Sequence, residues 1–138
     1  YTYLKSFRDV PPSTSGAPAN GRGPTNTNLP FLAAFYRLNN NLDSYIGELN
    51  SQISSRLSNN LQIGYVRMRD FRESSGGIFP LVDIENGQGQ AFTSFGYEPF
   101  SANNILNTDT YQLSDNLTYA LGKHVLTIGT YNEAYKFR

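Results

Sequence analysis

The chain is 138 residues long, enough for one ordinary domain, and its 11 Lys plus Arg balance 11 Asp plus Glu. No net field therefore draws nucleic acid or a basic partner. Charged residues make up only 16%, aromatics reach 14% as ten Tyr and nine Phe, and cysteine is absent, which excludes a disulfide framework or a thiolate metal site.

"YTYLKSFR", residues 1 to 8, reads as the end of a strand, and the opening lacks an initiator Met, a charged n-region and an apolar h-region. "DVPPSTSGAPANGRGPTNTN" at 9 to 28 is rich in Pro, Gly, Ser and Asn, so a loop is expected there. "LPFLAAFYRLNNN" follows and reads as extended. Residues 43 to 57 alternate: Tyr45, Leu49, Ile53 and Leu57 on one parity, Glu48, Asn50, Gln52, Ser54 and Arg56 on the other. A period of two marks a strand with one apolar and one polar face. "SNN" at 58 to 60 has turn chemistry, and "LQIGYVRMRDFR" at 61 to 72 reads as the next strand. Residues 74 to 108 read as a long irregular stretch. "DTYQLSDNLTYALGKHVLTIGTY", 109 to 131, reads as two strands folded on a Gly-Lys turn at 122–123. The last strand, 124 to 137, mixes parities: Leu126 and Ile128 on one, Tyr131, Tyr135 and Phe137 on the other. A bulge near Gly129 would reconcile them. The chain stops at "AYKFR", inside a strand pattern, so it reads as a fragment.

No run of 18 or more apolar residues occurs, which excludes a transmembrane helix and leaves transmembrane strands open. Tight turns at 58–60 and 122–123 alternate with long connections at 9–28 and 74–108. In an antiparallel meander all tight turns then fall at one end of the sheet and all long loops at the other. An outer-membrane barrel segregates them in this way, with short periplasmic turns and long extracellular loops. Strands of 9 to 11 tilted residues suffice to span a bilayer. The expected fold is all-β: an antiparallel meander of about five strands, an open segment of a large transmembrane β-barrel spanning 1–138. A soluble all-β binding module remains an alternative, because meanders also occur in soluble proteins.

"NGRGPTNTNLPF", "NSQISSRLSNNLQIGYVRMRDFRE" and "YEPFSANNILNTDTYQLSDNLTYALGKHVLTIGTYNEAYKF" resemble the mid-barrel region of TonB-dependent outer-membrane receptors. The resemblance is to the Oar-like, Bacteroidota type, in which a carboxypeptidase-regulatory-like domain precedes a plug and the barrel. It implies a 22-stranded barrel in a Gram-negative outer membrane, importing a nutrient under TonB control. Plug, TonB box and N-terminal domain lie outside this sequence. Implied partners are outer-membrane lipid and lipopolysaccharide, the TonB complex through those other parts, and a small-molecule, glycan or peptide ligand. A non-transporting barrel or adhesin would share the alternation without needing a plug.

Catalysis is not expected. His124 is the only histidine and no cysteine accompanies it, so neither a triad nor a metal site is indicated. "DIENGQGQ" at 83 to 90 lacks the alternating carboxylates of a calcium loop and reads as a glycine-rich loop tip. No cofactor is expected. Within 74–108, Ile78, Phe79, Phe92, Phe95, Tyr97 and Phe100 form an aromatic-rich set; they pack the loop or present a ligand or partner contact. Arg67, Arg69 and Arg72 near the loop end of their strand, with Asp70 and Glu73, face lipopolysaccharide phosphates or pair with one another. Two charges break the apolar parity: Asp115 between Leu113 and Leu117, and Arg67 after Leu61, Ile63 and Tyr65. Counting up from the two tight turns puts them at matching height, which predicts an Arg67–Asp115 ion pair, or Arg69–Asp115 if the register is staggered by two.

Overall fold

A computed structural model describes residues 1–138. The elements are β1 (Thr2–Val10), a 3-10 turn (Leu32–Ala34), β2 (Tyr36–Ser54), β3 (Leu57–Ser74), β4 (Val82–Glu85), β5 (Ala91–Phe95), β6 (Ile105–Leu121) and β7 (His124–Phe137). The protein is all-β. Its main sheet is antiparallel with strand order β1-β2-β3-β6-β7, and β4 pairs with β5 in a separate two-stranded sheet. No helix is long and apolar enough to cross a membrane.

Three of the sheet's strands are unusually long: β2 has 19 residues, β3 has 18 and β6 has 17, where strands of about 5 or 6 are common. The expected turn at 58–60 is corrected. The chain reverses at Ser55-Arg56, and Ser58, Asn59 and Asn60 lie inside β3. Asparagine prefers turns because its amide satisfies local backbone, but here the amides have better partners across the sheet. Asn60 Nδ2 donates to Glu48 Oε1 (2.7 Å) and Asn50 Oδ1 (2.6 Å), and Asn59 Nδ2 donates to Asp115 Oδ1 (2.6 Å). Side chains brace the real turn, with Ser54 Oγ accepting from Arg56 N–H (3.3 Å) and Gln52 Nε2 donating to the Leu57 carbonyl (3.3 Å).

The Gly122-Lys123 turn stands where expected, with Gly122 at φ +60°, a conformation glycine adopts without a steric penalty. The bulge expected near Gly129 is absent. β6 and β7 pair without interruption from Thr108↔Phe137 to Leu121↔His124. Tyr131, Tyr135 and Phe137 therefore share a face with Gln112 and Ser114. The reason is polar: the Tyr131 and Tyr135 hydroxyls donate to the Glu133 carboxylate, as does Gln112 Nε2 (2.8 Å).

Two compact units divide the chain: Tyr1–Leu4 with Asn41–Arg69 and Asn107–Arg138, and Lys5–Asn40 with Asp70–Leu106. The first holds most of the sheet. The second holds the two long connections, and the 74–108 stretch expected to be irregular contains the β4–β5 hairpin, paired from Val82↔Phe95 to Ile84↔Thr93 and then shifted by one residue to Glu85↔Ala91, with Phe92 as the extra residue. Neither unit has an apolar core. The buried apolar residues are Ala34, Ala91, Pro12 and Pro30, while Arg22, Asn28, Asn39, Ser94, Glu98, Ser101 and Asp109 are buried and most large apolar side chains are exposed.

Candidate functional site

In the sheet unit the strand period sorts the side chains into two faces. One face carries hydrogen-bonded polar groups: Glu48, Asn50, Asn60, Gln112 and Glu133 are linked as above, and Thr118 and Thr127 hydroxyls meet at 3.0 Å. The other face carries exposed apolar groups, including Leu49, Ile63, Leu113, Leu117, Leu126 and Ile128. Across this second face runs a row of tyrosine rings, one from each of four neighbouring segments. Tyr1 lies 4.7 Å from Tyr45, Tyr45 lies 6.2 Å from Tyr65, and Tyr65 lies 5.1 Å from Tyr111. Rings at such spacing gain stacking energy beyond their buried area. The hydroxyl tips reach carboxylates: Tyr1 Oη donates to Asp43 Oδ1 and Tyr65 Oη to Asp109 Oδ1, both at 3.0 Å.

The Arg67–Asp115 ion pair is not formed, nor is its Arg69 alternative. Arg67 Nη1 lies 4.0 Å from Asp43 Oδ2, and Asp115 is held by Asn59. Arg69 Nη2 and Arg138 Nη2 each donate to Asp109 at 2.6 Å, leaving Asp109 buried under two guanidinium groups. The error follows from the turn. With β3 starting at Leu57, Arg67 stands higher on its strand than a turn at 58–60 allows, and Tyr65 sits level with Tyr111, beside Asp109. Asp115 lies about 20 Å further down β6 at the usual rise per residue.

In the loop unit the dominant feature is Arg22, which the sequence did not mark out. All five of its N–H donors are used. Nε donates to both Asp83 oxygens (2.9 Å each), Nη2 to Asp83 Oδ2 and the Gly16 carbonyl (2.8 Å each), and Nη1 to the Ser13 and Ser15 carbonyls (2.8 Å each). Ser94 Oγ adds a bond to Asp83 Oδ1 (2.7 Å). The Arg22 guanidinium beside Asp83, with the Ser94 hydroxyl, holds that carboxyl below its ordinary range despite partial burial. Asn20 acts as a strand neighbour in miniature, donating to the Ala91 carbonyl (2.8 Å) and accepting from its N–H (2.6 Å). Leu29 N–H and Phe31 N–H donate to the Phe92 and Ser94 carbonyls. Segment 9–31 and the β4–β5 hairpin are thus fastened into one piece.

The aromatic set of 74–108 is divided among three places. Phe79 stacks on Phe95 at 6.2 Å, and Phe95 meets Phe31 edge-on at 6.2 Å. Phe92 borders a shallow groove with Leu29 and Phe31. Tyr97 lines a cavity of about 540 Å³ with Asp9, Phe35, Tyr36, Arg37, Arg72 and Glu73. Phe100 and Ile78 are exposed, and so, despite these contacts, are Phe79 and Phe92. No cluster of three or more His, Asp or Glu side chains is arranged to hold a metal ion.

These features define a class: an all-β protein built on an antiparallel sheet with one apolar and one polar face. No family model, no curated protein and no solved structure matches the chain.

Proposed function

We propose that the chain is an arc of the transmembrane β-barrel of a TonB-dependent outer-membrane receptor that imports a nutrient, with its tyrosine face towards lipid and its polar face towards the barrel interior. The observation that carries this reading is the tyrosine row on an uncovered apolar face. Aromatic rings with polar tips collect where hydrocarbon meets headgroups. On β6 the apolar stretch below the row runs from Tyr111 to Tyr119, about 26 Å along the strand and about 20 Å along the membrane normal at a tilt near 40°. A soluble domain would cover such a face with a core, and the apolar residues this chain buries are only small ones, Ala34, Ala91, Pro12 and Pro30, none of them on this face. β1 and β7 are the edge strands of the sheet; a barrel continues the pairing at both. The role is transport, without catalysis.

The test uses the full-length product of the gene that encodes this chain. It should fractionate with outer membranes, migrate differently with and without boiling, and support TonB-dependent uptake that is lost on deletion. Membrane insertion without any TonB-dependent uptake would favour the non-transporting barrel or adhesin. Recovery as a soluble monomer would refute both.

A further inference from the structure

In the loop unit, the cavity lined by Tyr97 and Arg72 carries four charges: Asp9, Arg37, Arg72 and Glu73. Three are already committed. Arg37 grips Asp9 through Nε (2.7 Å) and Nη2 (3.0 Å) and lies 4.4 Å over the Phe7 ring. Glu73 Oε2 accepts from Asn39 Nδ2 at 2.9 Å. Arg72 differs: it makes no ion pair and no hydrogen bond, and its guanidinium lies 5.0 Å over the Tyr36 ring. Stacking on an aromatic face holds a guanidinium in place and leaves its edge of N–H donors free. That edge matches the two oxygens of a carboxylate or phosphate. The four charges cancel, so the cavity does not repel an anion. Its volume of about 540 Å³ falls in the range of small-molecule sites, and Phe35, Tyr36 and Tyr97 supply ring surface.

We propose that this cavity binds a small ligand through an oxyanion, carboxylate or phosphate, seated on the free edge of Arg72, with the ligand's body packed on Tyr97. Arg72 and Tyr36 form a pre-positioned anchor, and Arg37 is a structural cation spent on Asp9. The proposal rests on the receptor reading only for taking this ligand as cargo; binding itself is measured on purified protein and does not depend on import.

The experiment is calorimetric titration of the full-length protein in detergent with phenyl phosphate, benzoate and the uncharged benzyl alcohol. Wild type should bind at least one anion about tenfold or more tighter than the alcohol. Tighter phenyl phosphate would assign a phosphate ligand, and tighter benzoate a carboxylate. Arg72→Gln should abolish the preference for the anion and Arg72→Lys should retain part of it, while Arg37→Gln should keep it. Binding of the alcohol as tightly as both anions, no binding of any probe, or unchanged anion affinity in Arg72→Gln would each overturn the proposal. If Arg72→Gln does not fold, Arg72→Lys and Tyr97→Ala decide: unchanged affinity in both is the refuting result. Failure of uptake with anion binding intact would count against the receptor reading alone.

Discussion

Removing Arg22 should release the loop unit while leaving the sheet intact. In Arg22→Ala the Ser13, Ser15 and Gly16 carbonyls lose a donor; Ser15 and Gly16 are exposed residues and Ser13 is half-buried, so water can replace it. Asp83 has no such exchange. Its side chain is 17% exposed, that of Arg22 only 6%, and Ser94 Oγ would be its remaining partner. Breaking a buried pair from one side costs about 3–5 kcal/mol, and the exposed edge of Asp83 places this case near 3 kcal/mol, roughly a hundredfold in a local opening equilibrium. Hydrogen exchange read by mass spectrometry on the full-length protein checks this. Protection at Leu29, Phe31, Asn86 and Tyr97, whose N–H groups donate within the unit, should fall about a hundredfold, with β6–β7 amides unchanged. Adding Asp83→Asn to Arg22→Ala should recover part of the loss, because the uncompensated charge is then gone. Exchange within threefold of wild type would refute the clamp.

Acid should loosen the same unit. Asp83 has a depressed folded pKa, so its contribution is complete above the unfolded value near 4 and is lost as pH falls through the folded value; hydrogen exchange of these amides in Asp83→Asn should lack that acid-dependent loss. Gly96→Ala should also open the hairpin, because Gly96 sits at φ +105° and a Cβ there would run into the Pro80 carbonyl and come within 3.0 Å of Leu81 Cα; unchanged proteolysis of the loops would contradict this. On intact cells, cysteine at the exposed positions Ser75 or Gln88 should react with an impermeant reagent and cysteine at Ser55 should not; the reverse pattern would invert the proposed topology. Asp115→Asn should keep the bond from Asn59 and not lower the detergent melting temperature, whereas Asp115→Arg should cost about 2–4 kcal/mol if the face meets hydrocarbon; equal melting of the two would argue against lipid there.

Much of the sheet was legible because its signal is local. The alternation of Tyr111 to Leu121 and the Gly122-Lys123 turn need only neighbouring residues, and both stand as read. The Ser55-Arg56 turn carries only serine, a weaker turn residue than glycine or asparagine, while Asn59 and Asn60 carry the stronger signature and do not turn; cross-strand amide bonds overrode the local preference. The β4–β5 hairpin did leave a signal. "VDIE" alternates ahead of an Asn-Gly tip, with Gly87 at φ +82° and Gly89 at φ +72°, but "AFTSF" after the tip does not alternate, and the abundance of glycine masked the hairpin as a loop. The Arg22–Asp83 clamp left none, since its partners stand 61 residues apart and neither looks unusual alone.

The turn at Ser55-Arg56 also accounts for the charges on the tyrosine face. In the observed register they are sorted by position along the strands. Arg67, Arg69, Asp43 and Asp109 gather beside the tyrosine row, where the Tyr1 and Tyr65 hydroxyls join them and every carboxylate has a cation or a phenol. Asp115 alone stands below the row, answered by an amide and not by a charge. A full ion pair there would place two charges in the apolar stretch, whereas an aspartate held by a neutral asparagine places one; if the face meets hydrocarbon, a carboxylate also costs less there than a guanidinium. The two tyrosine–aspartate bonds and the isolated Asp115–Asn59 bond thus share one arrangement: the apolar stretch carries a single charge, held by an amide, and the other charges gather beside the tyrosine row.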